Sequence, residues 1–432
     1  MCGARALPLP EGPVVMRVAI IGAGAAGMTA ALALRRPDLL AMTPFTPTGS
    51  TTPDVVVFEK EQPLAKVRAS GNGRCNFTNA HLSPAHYTGD HAAFVAPLLS
   101  RFGFREMLAW FQLLGMDAVT LESGMTYPRT LRAQTVADLL EARVRDAGAT
   151  LRGDAVTDLA KREGRFALTL ASGDTSSFDA VLLTTGGSFG VKRDDWSNGY
   201  SLAKALGHSL TPLHPGIVAL RVAEKARCEA LQGVKVEACV SGAGETTTDD
   251  VLFTDYGLSG TGIFRLSNAL LDAKRPTLVL DVLPQWEEHA LVETLVALSA
   301  RFPCAAPASL LSGYVFAPVA QVAAGEAGIT TSDRVSLQTL VRRLKSWPFT
   351  VVGTRRRDHG QVTCGGVKTE EVHPETLESR QCPGLYLAGE ILDVQGECGG
   401  YNLHWAFTSA LASARAILSP ASSGGREASA CV

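Results

Sequence analysis

The run Arg17-Val18-Ala19-Ile20-Ile21, followed by Gly22-Ala23-Gly24-Ala25-Ala26-Gly27, leaves this chain few ways to fold. A β-branched apolar segment enters three glycines at G-x-G-x-x-G spacing, and the small-residue helix Met28-Thr29-Ala30-Ala31-Leu32 leaves at once. That is strand, tight turn, helix. In such a unit the first glycine makes the turn, the second lets backbone approach a pyrophosphate, and the third lets helix and strand touch. The helix then begins with N–H groups and the positive end of its dipole aimed at the phosphates. Plain packing of an Ala-rich helix is the competing explanation. The flanking strand and helix favour a dinucleotide, with Gly22, Gly24, Ala25, Ala26 and Gly27 as its candidate binding residues.

Composition narrows the partners. A formal net charge of −2 over 432 residues supplies no global field for nucleic acid or an anionic membrane. No apolar run reaches the length needed to span a bilayer. Nine cysteines are scattered without a C-x-x-C, so neither a zinc site nor a dithiol is expected, and no metal ligands are assigned. The odd count, and a proline-containing start that lacks the pattern of a signal peptide, point to reduced thiols in a cytoplasm. Met16, directly before the first strand, is the expected translation start.

The first helix stops at Pro37, and residues 37–54 read as an exposed Pro/Thr-rich loop. The strand Val55-Val56-Val57-Phe58 ends in Glu59 and Lys60, an acidic tip of the kind that receives ribose hydroxyls. Glu59 lies 37 positions after Gly22, against a usual spacing of about 20, and the loop accounts for the excess. Ser70-Gly71-Asn72-Gly73-Arg74-Cys75-Asn76 reads as a loop rich in donors, suited to a phosphate or a polar ring edge. Residues 91–115 are helical by period, and 117–130 form a hairpin. Strand patterns cover 149–158, 165–171 and 178–184, the last running into Thr185-Gly186-Gly187, a second approach of sheet to cofactor.

From about residue 215 the pattern turns to strands, and residues 284–345 are mostly helical. A buried strand then ends in Gly389-Glu390, and Gly399-Gly400-Tyr401-Asn402-Leu403 opens an Ala-rich helix. The chain therefore returns to its first domain at the end. The expected division is 16–205 and 361–418 for a discontinuous Rossmann-like domain, 206–283 and 346–360 for a β-rich insert, 284–345 for a helical insertion, and 419–432 for a disordered tail.

Taken together, AIIGAGAAGMTAALAL, VVVFEK, SGNGRCNFTN, LLTTGGSFG, LFTDYGLSGTGIFRLS, CGGV and LYLAGEILDVQGECGGYNLHWAF resemble the bacterial aminoacetone-oxidase-like and BaiN-type NAD(P)/FAD-dependent oxidoreductases. The resemblance spans residues 18–407 in order. It implies an α/β fold, a discontinuous FAD domain carrying a β-barrel-like insert and a helical subdomain. It implies that Gly22, Gly24 and Gly27 hold the FAD pyrophosphate and Glu59 the adenosine ribose. Ser70, Gly71, Asn72, Gly73, Arg74 and Asn76 would line the flavin side, Glu390 would receive ribityl hydroxyls, and Gly399, Gly400, Tyr401 and Asn402 would face the isoalloxazine edge. Cys75 lies inside these motifs and is expected to be inert. The family often has His where Asp255 stands, Pro at Thr261, Gln at His404 and a small residue at Cys364. Tyr256 and His404 are the acid/base candidates, because such groups can be tuned toward working pH.

The expected activity is hydride transfer between bound FAD and a small organic substrate, with NAD(P)H as a transient visitor or oxygen as redox partner. Alternatives are a flavin enzyme acting on a macromolecule such as tRNA, a flavin-binding sensor without turnover, and an NAD-only dehydrogenase. Only one G-x-G-x-x-G opens a strand–helix unit, so no separate NAD(P)H domain is read.

Overall fold

The computed structural model describes residues 15–45, 52–87, 91–189, 198–272, 276–354 and 360–419. They divide into two compact units, one running to Ser188, resuming as far as Leu213 and again from Cys364, the other comprising Phe189 and His214–Thr363. Apart from Ser419, the expected tail lies outside the described residues.

The first unit is built on a five-stranded parallel sheet, in the order Leu385–Leu387, Ala180–Leu183, Arg17–Ile21, Asp54–Phe58, Thr150–Arg152. Strands buried on both faces require near-continuous apolar runs, and the buried Val18, Ala19, Ile20 and Ile21 supply one. Ile20 pairs with Leu182 on one side and Val57 on the other. The segment expected to be one strand over 178–184 is two. Phe178 ends an antiparallel sheet with 156–162 and 165–170, and Ala180 starts the parallel strand. Asp179 is the corner, its carboxylate accepting from the Arg17 backbone N–H at 2.7 Å.

Two other expectations change in detail. The helical stretch 91–115 is two helices, His91–Arg101 and Phe104–Leu113, because Gly103 is extended and Glu106 caps it at 3.1 Å. The SGNGRCN segment is the frayed end of the helix Ala65–Gly73, where Ser70 leaves helical geometry and Gly71 and Asn72 turn left-handed. The hairpin pairs Ala118–Thr120 with Met125–Pro128. The helix Tyr401–Leu418 completes the unit, with Trp405, Phe407 and Leu411 fully or almost fully buried.

The second unit is a closed six-stranded barrel, ordered 220–222, 257–259, 245–254, 235–242, 277–281, 347–354. Closure removes the exposed sheet edges that an open insert of this size would present. The helices 288–301, 317–326 and 334–345 share one apolar cluster with the barrel, which joins Leu295, Val319 and Leu340 to Val240, Phe253 and Leu280. Arg227 ties the two layers. It stacks on Trp347 and Phe349 at 5.0 and 4.6 Å and pairs with Glu326 at 2.6 Å.

One shared core predicts one cooperative transition. Leu340→Ala removes a fully buried side chain and should cost about 2–5 kcal/mol. Hydrogen exchange should show barrel strand 235–242 and helix 334–345 losing protection together, whereas helices that open alone would contradict a common core.

Candidate functional site

The glycine turn has an inside and an outside. A Cβ on Gly22, at φ 106°, would sit 2.5 Å from the Thr184 carbonyl, and one on Gly27 would collide with the Gly22 carbonyl oxygen. Thr184 seals the contact, its hydroxyl donating to the Ile21 and Gly22 carbonyls at 3.1 and 2.8 Å. A Cβ on Gly24 would meet nothing within 4 Å. The middle glycine thus opens onto free space at the N-terminus of the helix Ala25–Arg35, a cradle whose chemistry fits a diphosphate.

Beside it lies a cleft lined by Gly22, Glu59, Lys60, Thr185, Gly186 and Gly187, joined by Asp154, Ala155, Val156 and Tyr200. The last four escaped the sequence reading. Asp154 to Val156 follow the fifth parallel strand, Thr150–Arg152, and the sequence pattern there shows only a strand. One Glu59 oxygen accepts from the Ala23 N–H at 2.8 Å and the other from Glu61 N–H at 3.0 Å, so the acidic tip is fixed to the glycine loop.

Ala26 and Gly389 approach closely, a Cβ on Gly389 falling 3.2 Å from the Ala26 Cβ. Glu390 follows, with one carboxylate oxygen 3.8 Å from where a Gly186 Cβ would be. The sheet therefore brings three separate stretches to one edge. Lys66, which no motif singled out, pairs with Glu390 at 2.6 Å.

The far end is assembled from the SGNGRCN and GGYNL stretches. Gly400 caps the helix Tyr401–Leu418 at φ 100°, and a Cβ there would lie 2.7 Å from the Thr78 carbonyl and 2.8 Å from Asn76 Oδ1. Asn76 Oδ1 accepts from Thr126 N–H at 3.0 Å, and the Gly399 carbonyl accepts from Asn79 Nδ2 at 2.9 Å. The Tyr401 ring stacks on His86 at 4.4 Å, and the Asn402 side chain bonds both ways with the Gly396 backbone. What this stretch offers a ligand is therefore backbone and a dipole end, with Leu403 half-buried behind them. Ser70 donates to the Val67 carbonyl, Gly71, Asn72, Gly73 and Arg74 are exposed, and the Arg74 guanidinium stands 5.0 Å over the Tyr127 ring. Burial pushes the Cys75 thiol up to about 12, which leaves it a protonated, unreactive thiol.

The acid/base candidates differ in setting. His404 is fully buried. Its Nε2–H donates to the Phe102 carbonyl at 2.9 Å, so Nδ1 accepts the Thr78 hydroxyl proton, also at 2.9 Å. Neither nitrogen is left for a substrate. Burial holds the imidazole down at about 4, against a smaller upward pull from the Phe102 carbonyl. Tyr256 is half-buried on the turn after strand 245–254 of the barrel unit.

Comparison with known proteins finds relatives along almost the whole chain. Residues 16–416 match the family model described as HI0933-like protein Rossmann domain. The chain is 32% identical over 418 residues to a 3-dehydro-bile acid delta(4,6)-reductase of Clostridium scindens, covering 93% of this chain and 98% of that protein. It is 29% identical over 429 residues to a ribosomal RNA dihydrouridine synthase of Escherichia coli, covering 94% and 98%. Among solved structures, a mutant of the E. coli quinol fumarate reductase FrdA overlays with a TM-score of 0.50 at 16% identity, covering 95% of this chain and 71% of that one, a likeness of fold.

The buried histidine sets a pH dependence with a definite sign. The unfolded chain takes up a proton near 6.5, the folded chain only near 4. Stability is therefore complete above pH 6.5 and declines by about 1.4 kcal/mol per pH unit as pH falls toward 4. In His404→Gln the amide can serve both partners, so urea titrations across this window should lose that slope while flavin is retained. An unchanged slope would contradict the assignment.

Proposed function

The chain belongs to the HI0933-like family of Rossmann-domain proteins and is an FAD-dependent oxidoreductase, and on that premise we propose that it reduces a carbon–carbon double bond conjugated to a carbonyl in a small organic molecule. The two relatives named above supply the chemical argument. A 3-dehydro, delta(4,6) compound is a ketone conjugated to double bonds, and making dihydrouridine saturates the double bond next to a uracil carbonyl. Both are hydride additions to the far carbon of an unsaturated carbonyl, completed by a proton on the near carbon.

Bound FAD would supply the hydride. The chain's part is to hold and polarise. Gly22, Gly24 and Gly27 hold the diphosphate, Glu59 and Lys60 the adenosine side, and Glu390 the ribityl chain. Ser70 through Asn76 line the flavin. The observation that supports the reading is the N-terminus of the helix Tyr401–Leu418 at Gly400, whose positive dipole end can stabilise negative charge on the flavin pyrimidine. His404 positions this terminus through Thr78 and Phe102 and takes no proton from substrate. Tyr256 is kept as the candidate proton donor on the barrel unit. NAD(P)H is the proposed electron source, as a visitor, since a single G-x-G-x-x-G unit is present.

A second reading, uridine within ribosomal RNA as substrate, is favoured by the 29% identity to the E. coli synthase. The net charge of −2 argues for the small molecule, because a polyanion is ordinarily met by a basic surface. Anaerobic stopped-flow separates them. The flavin is reduced with NADH or NADPH and mixed with a 4-ene-3-one steroid, with cyclohexenone, or with ribosomal RNA lacking dihydrouridine. The proposal expects reoxidation by an enone with loss of one double bond per flavin. Reoxidation by RNA alone would select the second reading, and reoxidation by oxygen alone would overturn both.

A further inference from the structure

Two charges meet beside Gly186, and the glycine motif accounts for neither. Lys66 Nζ lies 2.6 Å from Glu390 Oε2, with side chains 24% and 21% exposed, so the pair is shielded enough to hold a geometry yet open to a ligand. Both partners are tied to the glycine turn by backbone. The helix Ala65–Gly73 starts after Leu64, whose N–H donates to the Ala23 carbonyl at 2.9 Å. Gly389, just before Glu390, abuts Ala26 in the first turn of the glycine helix, a Cβ there falling 3.2 Å from the Ala26 Cβ. The backbone segments that carry the pair therefore adjoin the glycine turn at Ala23 and the first turn of its helix at Ala26.

This arrangement answers an electrostatic problem. An FAD diphosphate carries two negative charges, and Glu390 would add a third beside them. A carboxylate so near a diphosphate repels it unless a cation stands between. We propose that Lys66 is a cofactor-binding residue whose ammonium, positioned by Glu390, neutralises the FAD diphosphate at the N-terminus of the glycine helix. This rests on the reading of Gly22, Gly24 and Gly27 as the diphosphate cradle. An ammonium donates to phosphate as a compact point charge, and one charge-assisted contact of this kind changes affinity by about tenfold or more.

The alternative is a structural strap joining the helix Ala65–Gly73 to the Gly389–Ile391 turn. The two accounts differ in sign. A strap is lost equally when either partner is removed, whereas a charge facing a diphosphate is not. The test uses the full chain stripped of flavin, with FAD and ADP titrated separately, since ADP carries the diphosphate without the flavin. Thermal melting of each variant checks folding. K66M is expected to weaken FAD and ADP alike by about tenfold or more, K66R to stay within about threefold of the native chain, and added salt to narrow the gap. E390Q is expected to bind ADP at least as tightly as the native chain. Equal losses of ADP affinity in K66M and E390Q, or native ADP affinity in K66M, would overturn the proposal. Should K66M melt too low to titrate, the direction of the E390Q change decides. A native chain that binds neither FAD nor ADP would instead sink the cradle reading itself.

Discussion

The site depends on one close contact, the Gly27 backbone against the Gly22 carbonyl. Only a residue without a Cβ allows the helix Ala25–Arg35 to start that near the first strand. The contact aims the helix N-terminus over the carboxyl edge of the parallel sheet, where open α/β sheets bind ligands. Thr184 reinforces it from the neighbouring strand, and Glu59 anchors Ala23 from the other side. Two later segments of this unit pack against the turn. Gly389 abuts Ala26, Leu64 bonds to Ala23, and Lys66 pairs with Glu390.

Much of this was legible in the sequence because it rests on local rules. The glycine spacing, the apolar strand before it and the acidic strand tip each have a short-range signature, and the return of the chain at Gly389-Glu390 repeats the grammar of strand then glycine. The β-rich insert also announced itself by a change of period. Other features depend on partners far along the chain. Lys66 looks like any helix lysine until Glu390, 324 positions away, is folded beside it. His404 reads as a tunable acid until Phe102 and Thr78 occupy both its nitrogens. Tyr401 and Asn402 sit in a cofactor motif, yet their side chains serve the loop before them, against His86 and Gly396. The strand break at Asp179 and the helix break at Gly103 are single-residue decisions that hydrophobic period cannot resolve.

The chemistry that follows is one of backbone and charge more than of reactive side chains. The thiol inside the cofactor motif, Cys75, is buried and held protonated. The histidine in the terminal helix is held neutral. The cleft beside the glycine turn is lined by glycine backbone and fixed charges together with Val156, Thr185 and Tyr200, a setting that can tune a cofactor through which the electrons pass.

The most direct measurement is the FAD affinity of Gly24→Ala set beside its melting temperature. Gly24 has ordinary negative φ, and a Cβ there meets nothing within 4 Å, so the variant should melt with the native chain. If the open side of Gly24 is where the diphosphate lies, the added methyl group should weaken FAD by about tenfold or more. Native affinity in a natively stable Gly24→Ala chain would contradict the account.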